Sequence, residues 1–277
     1  LVTLIMKVVF SRKGFDGSAG GCPSPIIDGI PLSLPIPYLN STKSYQNFNL
    51  GKVVTDLTNG KLGDSDFCHN DNSQKGLFIT FEGGEGVGKT TQINLLKDYL
   101  EQNKFKVITT REPGGTEEGE KIRKFLVSGA NNSWDPYSEA LIFNAIRREH
   151  IKKLIKPAIA NGEIVLCDRF IDSTIVYQGI AGKVDQSSLL QLHNTYCYNL
   201  YPSLTFFLNL DPLAGLKRAK KRQDQNENRF EDLGVDYHTM VYKGFVSQQQ
   251  KYPERIINID ASLSKNLISK NINSFFD

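Results

Sequence analysis

Hydrophobic and polar positions change rhythm along this chain of 277 residues. From residue 75 onward, short apolar runs rich in β-branched and aromatic residues alternate with stretches whose apolar positions recur every three or four residues. Gly76-Leu77-Phe78-Ile79-Thr80-Phe81 is the first such run. It ends in a glycine-rich turn, after which Ile93, Leu96, Tyr99 and Leu100 follow at helical spacing. Phe105 to Thr109, Glu163 to Cys167, Leu204 to Leu210 and Arg255 to Ile259 predict four further strands, most of them followed by polar punctuation and a helical pattern. Apolar strands alternating with helices imply an α/β domain over residues 75–277, a parallel five-stranded sheet with helices on both faces.

Residues 1–74 lack this alternation. They contain no glutamate, hold five of the 11 prolines, and carry turn-forming clusters such as Gly17-Ser18-Ala19-Gly20-Gly21 and Asn70-Asp71-Asn72-Ser73. An irregular N-terminal extension is expected here. The chain shows no internal repeat and no heptad array.

Composition narrows the class of molecule. With 39% hydrophobic and 23% charged residues the chain sits near the globular average, which excludes a collagen-like, wholly disordered or disulfide-stapled protein. No apolar run approaches the roughly 18 residues of a membrane span. The opening Leu1 to Phe10 is apolar, but Lys7, Arg12 and Lys13 interrupt it before a secretory core develops. Cys22, Cys68, Cys167 and Cys197 lie far apart without C-x-x-C spacing, so neither a zinc site nor a redox pair is suggested. A cytoplasmic protein follows. The net charge of +3 is too small for a protein that coats nucleic acid, so anion recognition has to be local.

Gly83-Gly84-Glu85-Gly86-Val87-Gly88-Lys89-Thr90, followed by Thr91, supplies a local anion site. It matches G-x-x-x-x-G-K-[ST] between a strand and a helix. Glycines let the backbone wrap a nucleotide's phosphates closely, and the helix N-terminus adds positive potential. Lys89 is placed to neutralise β- and γ-phosphates of ATP, and the Thr90 hydroxyl suits a Mg²⁺ ligand. Asp168-Arg169 follows the Glu163 to Cys167 run, and ligands of open parallel sheets bind beyond the carboxyl ends of strands. Asp168 is a candidate for Mg²⁺ or its waters, and Arg169 for clamping an acceptor phosphate. The basic stretch Lys217-Arg218-Ala219-Lys220-Lys221-Arg222 runs through polar Gln223 to Asn228 into Arg229. On its own it reads as a solvated helix end; beside a phosphate loop it reads as a lid, with Arg218 on the ATP side.

These residues resemble the bacterial thymidylate kinase family over Lys75 to Asp277. The resemblance is carried in order by Phe81 to Thr91, by Thr110-Arg111-Glu112-Pro113-Gly114-Gly115-Thr116, and by Asp168-Arg169-Phe170-Ile171-Asp172-Ser173-Thr174 running on to Tyr177-Gln178-Gly179. It implies a P-loop kinase fold, a homodimer, and transfer of the ATP γ-phosphoryl group to dTMP, with no nucleic acid or membrane partner. It implies that Glu85 lies near the sugar 3′-hydroxyl of the acceptor. Phe143 and Arg147, four apart on one helical face, would stack on thymine and reach its carbonyl oxygen. Thr174 and Gln178 would contact the base, and Tyr177 would pack against the deoxyribose. Glu112 and Arg123 match a charged pair shaping the acceptor pocket, and Arg222 and Arg229 match lid arginines of the bacterial type, whose phosphate loop has no arginine; Gly86 fits that type.

Another nucleoside monophosphate kinase would share the phosphate loop but leaves the Glu112 to Gly115 and Thr174 to Gln178 elements without a purpose. A GTP switch would need an N-K-x-D motif, which does not occur. A non-catalytic nucleotide-binding module is the third reading, opposed by the intact Lys89, Thr90, Asp168 and Arg169. Met6 to Pro25 resembles the start of the third nucleotide-modification-associated domain family over residues 6–45, and with Leu1 preceding Met6 a truncated remnant joined to a kinase is expected.

Residues 1–74 are therefore expected to be dispensable. A chain beginning at Lys75 should retain dTMP kinase activity. If it folds by circular dichroism but is inactive, the first segment completes the active site.

Overall fold

The computed structural model describes residues 76–127, 134–221 and 233–277, together with the short strands Ile26–Ile27 and Ile30–Pro31. Those two strands pair antiparallel. They belong to a unit delimited by backbone contacts as Leu1–Ser44, distinct from Tyr45–Asp277. The boundary expected at residue 74 and the lid residues Arg222 and Arg229 lie outside the described residues.

Five strands form the second unit's sheet: β1 (Phe78–Glu82), β2 (Val107–Arg111), β3 (Ile164–Asp168), β4 (Leu204–Asn209) and β5 (Ile256–Asp260). All are parallel, in the order β2-β3-β1-β4-β5. The expected architecture is the observed one. Every residue of β1 is buried, whereas the edge strands β2 and β5 are partly exposed. This ordering explains why the inner strands read as unbroken apolar runs.

Strand alternation sorts side chains onto two faces. Ile79, Phe81, Leu166, Phe206 and Leu208 meet Ile93, Leu96 and Leu100 of α1 (Lys89–Gln102) and Ile268 and Ile272 of α9 (Lys265–Asn273). Leu96 and Leu100 are inaccessible, each worth about 1.5–3 kcal/mol of burial. On the opposite face, Phe78, Val165 and Cys167 pack against Phe170, Ile175 and Leu189 of α6 (Gln186–Tyr196). Phe207 there joins Val241 and Phe245 of α8 (Val235–Lys251).

The remaining helices are α2 (Glu117–Val127), α3 (Pro136–His150), α4 (Lys156–Ala160), α5 (Ile171–Thr174) and α7 (Pro212–Ala219). Asp135 caps α3, accepting from the Tyr137 and Ser138 amides at 3.0 and 3.1 Å, with Pro136 in the first turn. Two segments, Ile151–Ile155 after α3 and Ile175–Ala181 after α5, wind wider as π-helix. The second carries Tyr177 and Gln178, and its π winding advances the side chains differently from the i, i+4 spacing of an ordinary helix.

Beneath the carboxyl edge of the sheet lies a polar network inside the core. Arg255 donates through both terminal nitrogens to Asp172 at 2.7 Å each, and also to Thr205 Oγ1 at 3.0 Å. Thr205 in turn meets Thr80 hydroxyl to hydroxyl at 2.7 Å. The fork holds α5 against the start of β5. Arg255→Ala would leave Asp172 buried and unpaired, so a loss of about 3–5 kcal/mol is expected in urea-induced unfolding; a loss under about 1 kcal/mol would show the pair to be energetically idle.

Candidate active site

A cleft of about 1230 Å³ opens beyond the carboxyl ends of β1, β2 and β3. The turn after β1 is the phosphate loop. Gly86 adopts a left-handed backbone (φ +69), and a Cβ there would sit 2.0 Å from the Gly215 carbonyl oxygen on α7. A Cβ at Gly215 would in turn lie 2.4 Å from the Glu85 carbonyl oxygen. The loop therefore touches α7 backbone to backbone, a steric reason for glycine at 86 beside the family pattern. Gly88 caps α1 without a side-chain bond, which leaves the amides of its first turn available to an anion.

Lys89 turns its ammonium onto the loop, donating to the Gly84 carbonyl at 3.0 Å and the Gly83 carbonyl at 3.4 Å. Burial and then the Arg169 guanidinium pull its pKa below the ordinary lysine value, against Asp168 and Glu85. Two cations this crowded favour the arrival of a polyanion. The Thr90 hydroxyl donates to Asp168 Oδ2 at 3.2 Å, so the two candidate Mg²⁺ ligands adjoin. A hydroxyl and a carboxylate are hard oxygen donors that fit Mg²⁺. Thr91 and Arg218 line the same cleft, and Arg218 donates to the Ala261 carbonyl at 3.1 Å.

Arg169 leaves β3 with φ +69, an uncommon conformation for a non-glycine residue. Its guanidinium donates to the Gly83 carbonyl at 2.9 Å, Ser173 Oγ at 3.2 Å and Glu85 Oε1 at 2.7 Å, and lies 5.0 Å from the Tyr177 ring centre. The Tyr177 hydroxyl donates to the same Glu85 oxygen at 2.9 Å. Burial alone would raise the Glu85 carboxyl, but Arg169 and Lys89 outweigh it and hold the group at about 2. Burial and neighbouring Glu85 push the Tyr177 phenol up.

Across the cleft, Arg147 is 2% exposed. It donates from Nε to Glu112 Oε2 at 2.7 Å and from Nη2 to Thr174 Oγ1 at 2.8 Å. Arg147, which the resemblance placed at the base, is thus also a charged partner of Glu112. Arg123 donates to the Pro113 carbonyl at 2.9 Å and so braces the turn that carries Glu112. Gln178 donates to Glu139 Oε2 at 3.0 Å, and Phe143 lines the cleft.

Two residues escaped the sequence reading. Glu82, the last residue of β1, accepts from the Phe170 amide at 2.8 Å and from the Ser173 hydroxyl at 2.6 Å, anchoring the segment that carries Arg169. Burial, and then Asp172, push its carboxyl upward. Its signal was an acid closing an otherwise uncharged, wholly buried strand. The second is His150, three residues after Arg147 on α3, bonded to Glu112 and Thr110.

A parallel sheet whose central strand feeds a phosphate loop, with an Asp-Arg strand end facing the same cleft, defines a P-loop nucleotide kinase. The thymidylate kinase family model matches residues 81–272. The chain is 45% identical to a thymidylate kinase of Magnetococcus marinus over 198 residues, 72% of this chain and 94% of that one. It is 42% identical to a thymidylate kinase of Gloeobacter violaceus over 201 residues, 73% and 94% of the two chains. A solved thymidylate kinase from Ehrlichia chaffeensis superposes with a TM-score of 0.60 at 34% identity, over 73% of this chain and all of that one. The chain belongs to the thymidylate kinase family. A second model, nucleotide modification associated domain 3, matches residues 7–73, further along the chain than the 6–45 read from sequence.

Glu85 ties its ionisation to folding. Its pKa falls from 4.5 to about 2 on folding, so its contribution is complete above the ordinary carboxylate range and lost as pH drops through about 2. The stability gap between wild type and Glu85→Gln should be widest near neutral pH and shrink steadily from about pH 5 downward. A gap independent of pH in urea unfolding would contradict the ion pair with Arg169.

Proposed function

We propose that this cleft transfers the γ-phosphoryl group of ATP to the 5′-phosphate of dTMP, giving dTDP and ADP. The observation that carries the acceptor assignment is Arg147. It is buried in the cleft, with Nε and Nη2 already bonded and Nη1 without a hydrogen-bond partner among the described residues. An unmet buried guanidinium donor is costly unless a ligand supplies an acceptor, and a thymine carbonyl is such an acceptor. A base presenting an amino group there would set donor against donor.

On this reading Phe143 stacks on the base, and Thr174 and Gln178 border it. Tyr177 packs against the deoxyribose, and ionised Glu85 receives the 3′-hydroxyl. Arg169 takes the acceptor phosphate, while Lys89 and the amides from Gly83 to Thr91 hold the ATP phosphates, with Arg218 on the ATP side. Arg222 and Arg229 close as a lid. The acceptor oxygen is already anionic at neutral pH, so no general base is required. The barrier is repulsion between two anions and their alignment, which fixed cations at the end of a rigid sheet lower. Thr90 and Asp168 would hold Mg²⁺, which when bound would supply further neutralisation of phosphate charge.

We also read the enzyme as a cytoplasmic homodimer. Ile122 and Phe125 of α2, Leu141 of α3 and Tyr196 of α6 are exposed apolar side chains on neighbouring helices, which supports a self-associating face. Cys167 and Cys197 are free and buried, which suits a reducing compartment. Among the described residues no helix is long and apolar enough to cross a membrane. We also propose that residues 1–74 are not required for catalysis.

The reading is tested by coupled assay of ADP release with dTMP, dUMP, dCMP, AMP and GMP. dTMP should be the best acceptor. Arg147→Ala should raise the KM for dTMP by roughly tenfold or more while moving the KM for ATP less than about twofold. Equal effects on both substrates would remove Arg147 from the acceptor pocket.

A further inference from the structure

We propose that His150 is a positioning residue for base recognition, acting through Glu112 to hold the Nη1 donor of Arg147 in the direction it presents to the acceptor base; this rests on the acceptor assignment above. His150 is inaccessible to solvent and is not among the residues that line the cleft, so any influence on substrate has to pass through a neighbour. Both ring nitrogens are engaged. Nδ1 lies 3.0 Å from Glu112 Oε1 and Nε2 lies 2.8 Å from Thr110 Oγ1. A carboxylate only accepts, so Nδ1 carries a hydrogen and donates it.

The consequence falls on Arg147. Carboxylates and guanidinium groups tend to pair as a two-bonded fork. Here His150 occupies Oε1, and Glu112 takes Arg147 through Oε2 and Nε alone, at 2.7 Å. Nη2 goes to Thr174 Oγ1 at 2.8 Å, which leaves Nη1 buried and unspent. The guanidinium is planar, so fixing Nε and Nη2 fixes the direction of Nη1. Without the histidine, Glu112 Oε1 is free to turn onto Nη2 and complete a fork with Nε, which displaces Thr174 and swings the guanidinium, and the direction of Nη1 offered to a base is lost.

The surroundings hold the ring in place. Gly115 has φ +79, and a Cβ there would lie 2.3 Å from both Cδ2 and Nε2 of His150. The glycine turn after Glu112 therefore closes directly on the imidazole. Thr110 sits on β2 and Glu112 just beyond its end, so strand, turn and helix α3 all converge on this one side chain.

The test uses the full chain and two amide substitutions. The Asn amide nitrogen overlies Nδ1 of histidine, whereas the Gln amide overlies Nε2 and leaves Glu112 Oε1 without its donor. His150→Gln is expected to raise the KM for dTMP about tenfold, the loss of one well-placed hydrogen bond, with the KM for ATP unchanged. His150→Asn should recover most of that loss. In an Arg147→Ala background neither substitution should raise the KM further, because the effect runs through Arg147. A reversed order of the two variants, or an equal added loss without Arg147, would overturn the proposal. A readout free of substrate and of variant folding is long-range ¹H–¹⁵N NMR of the wild-type imidazole: a protonated Nδ1 is expected, and an unprotonated Nδ1 overturns the role. If the wild type prefers another monophosphate, the dTMP assignment fails, while the tautomer and the order of the variants on that acceptor still decide the role of His150.

Discussion

Arg169 leaves β3 in a left-handed conformation and sends its guanidinium back over the phosphate loop, where it meets the Gly83 carbonyl, Glu85 and Ser173 together. That single group joins the loop built for phosphates to the strand end that carries Asp168. It also balances the carboxylate of Glu85, which would otherwise face incoming phosphates as an uncompensated negative charge. The strained backbone is sustained from below. Glu82 receives the Phe170 amide and the Ser173 hydroxyl, and the Asp172–Arg255 fork pins the following residues to β5.

The opposite wall of the cleft obeys a different economy. It is assembled from buried hydrogen bonds among Thr110, Glu112, Arg147, His150 and Thr174, in which Nη1 of Arg147 is left without a partner among the described residues. Such networks are most stable when satisfied, and on the proposed reading the unpaired Nη1 of Arg147 is where a ligand completes the set. On the proposed reading the phosphate side works by charge held in place, and the base side by a hydrogen-bond network with one donor left for the ligand. Together they separate affinity for any nucleotide from choice among bases.

Most of the architecture was legible because both of its signals are local. Apolar runs at Phe78 to Phe81 and Glu163 to Cys167 announce doubly buried strands, and the loop from Gly83 to Thr90 carries its chemistry in contiguous residues. The acceptor side was legible only through family resemblance, and then as separate roles. Nothing in the spacing pairs Glu112 with Arg147, thirty-five residues away, or selects His150 among polar residues at a helix end. The π winding of Ile175–Ala181 was hidden too, because Tyr177 and Gln178 satisfy an ordinary helical pattern equally well.

The amino-acid sequence by itself therefore determined the alternation of strands and helices, the phosphate loop with Lys89 and Thr90, and the acid and base at the end of β3, since each depends on neighbours a few residues apart. The tertiary structure decided which charges meet. It set Arg169 against Glu85 and Tyr177, Arg255 against Asp172, and Glu112 between Arg147 and His150. Those pairings arise where strand ends from distant parts of the chain converge on one edge of a parallel sheet, and burial there compels every polar group to find a partner at hand, whatever its distance along the chain.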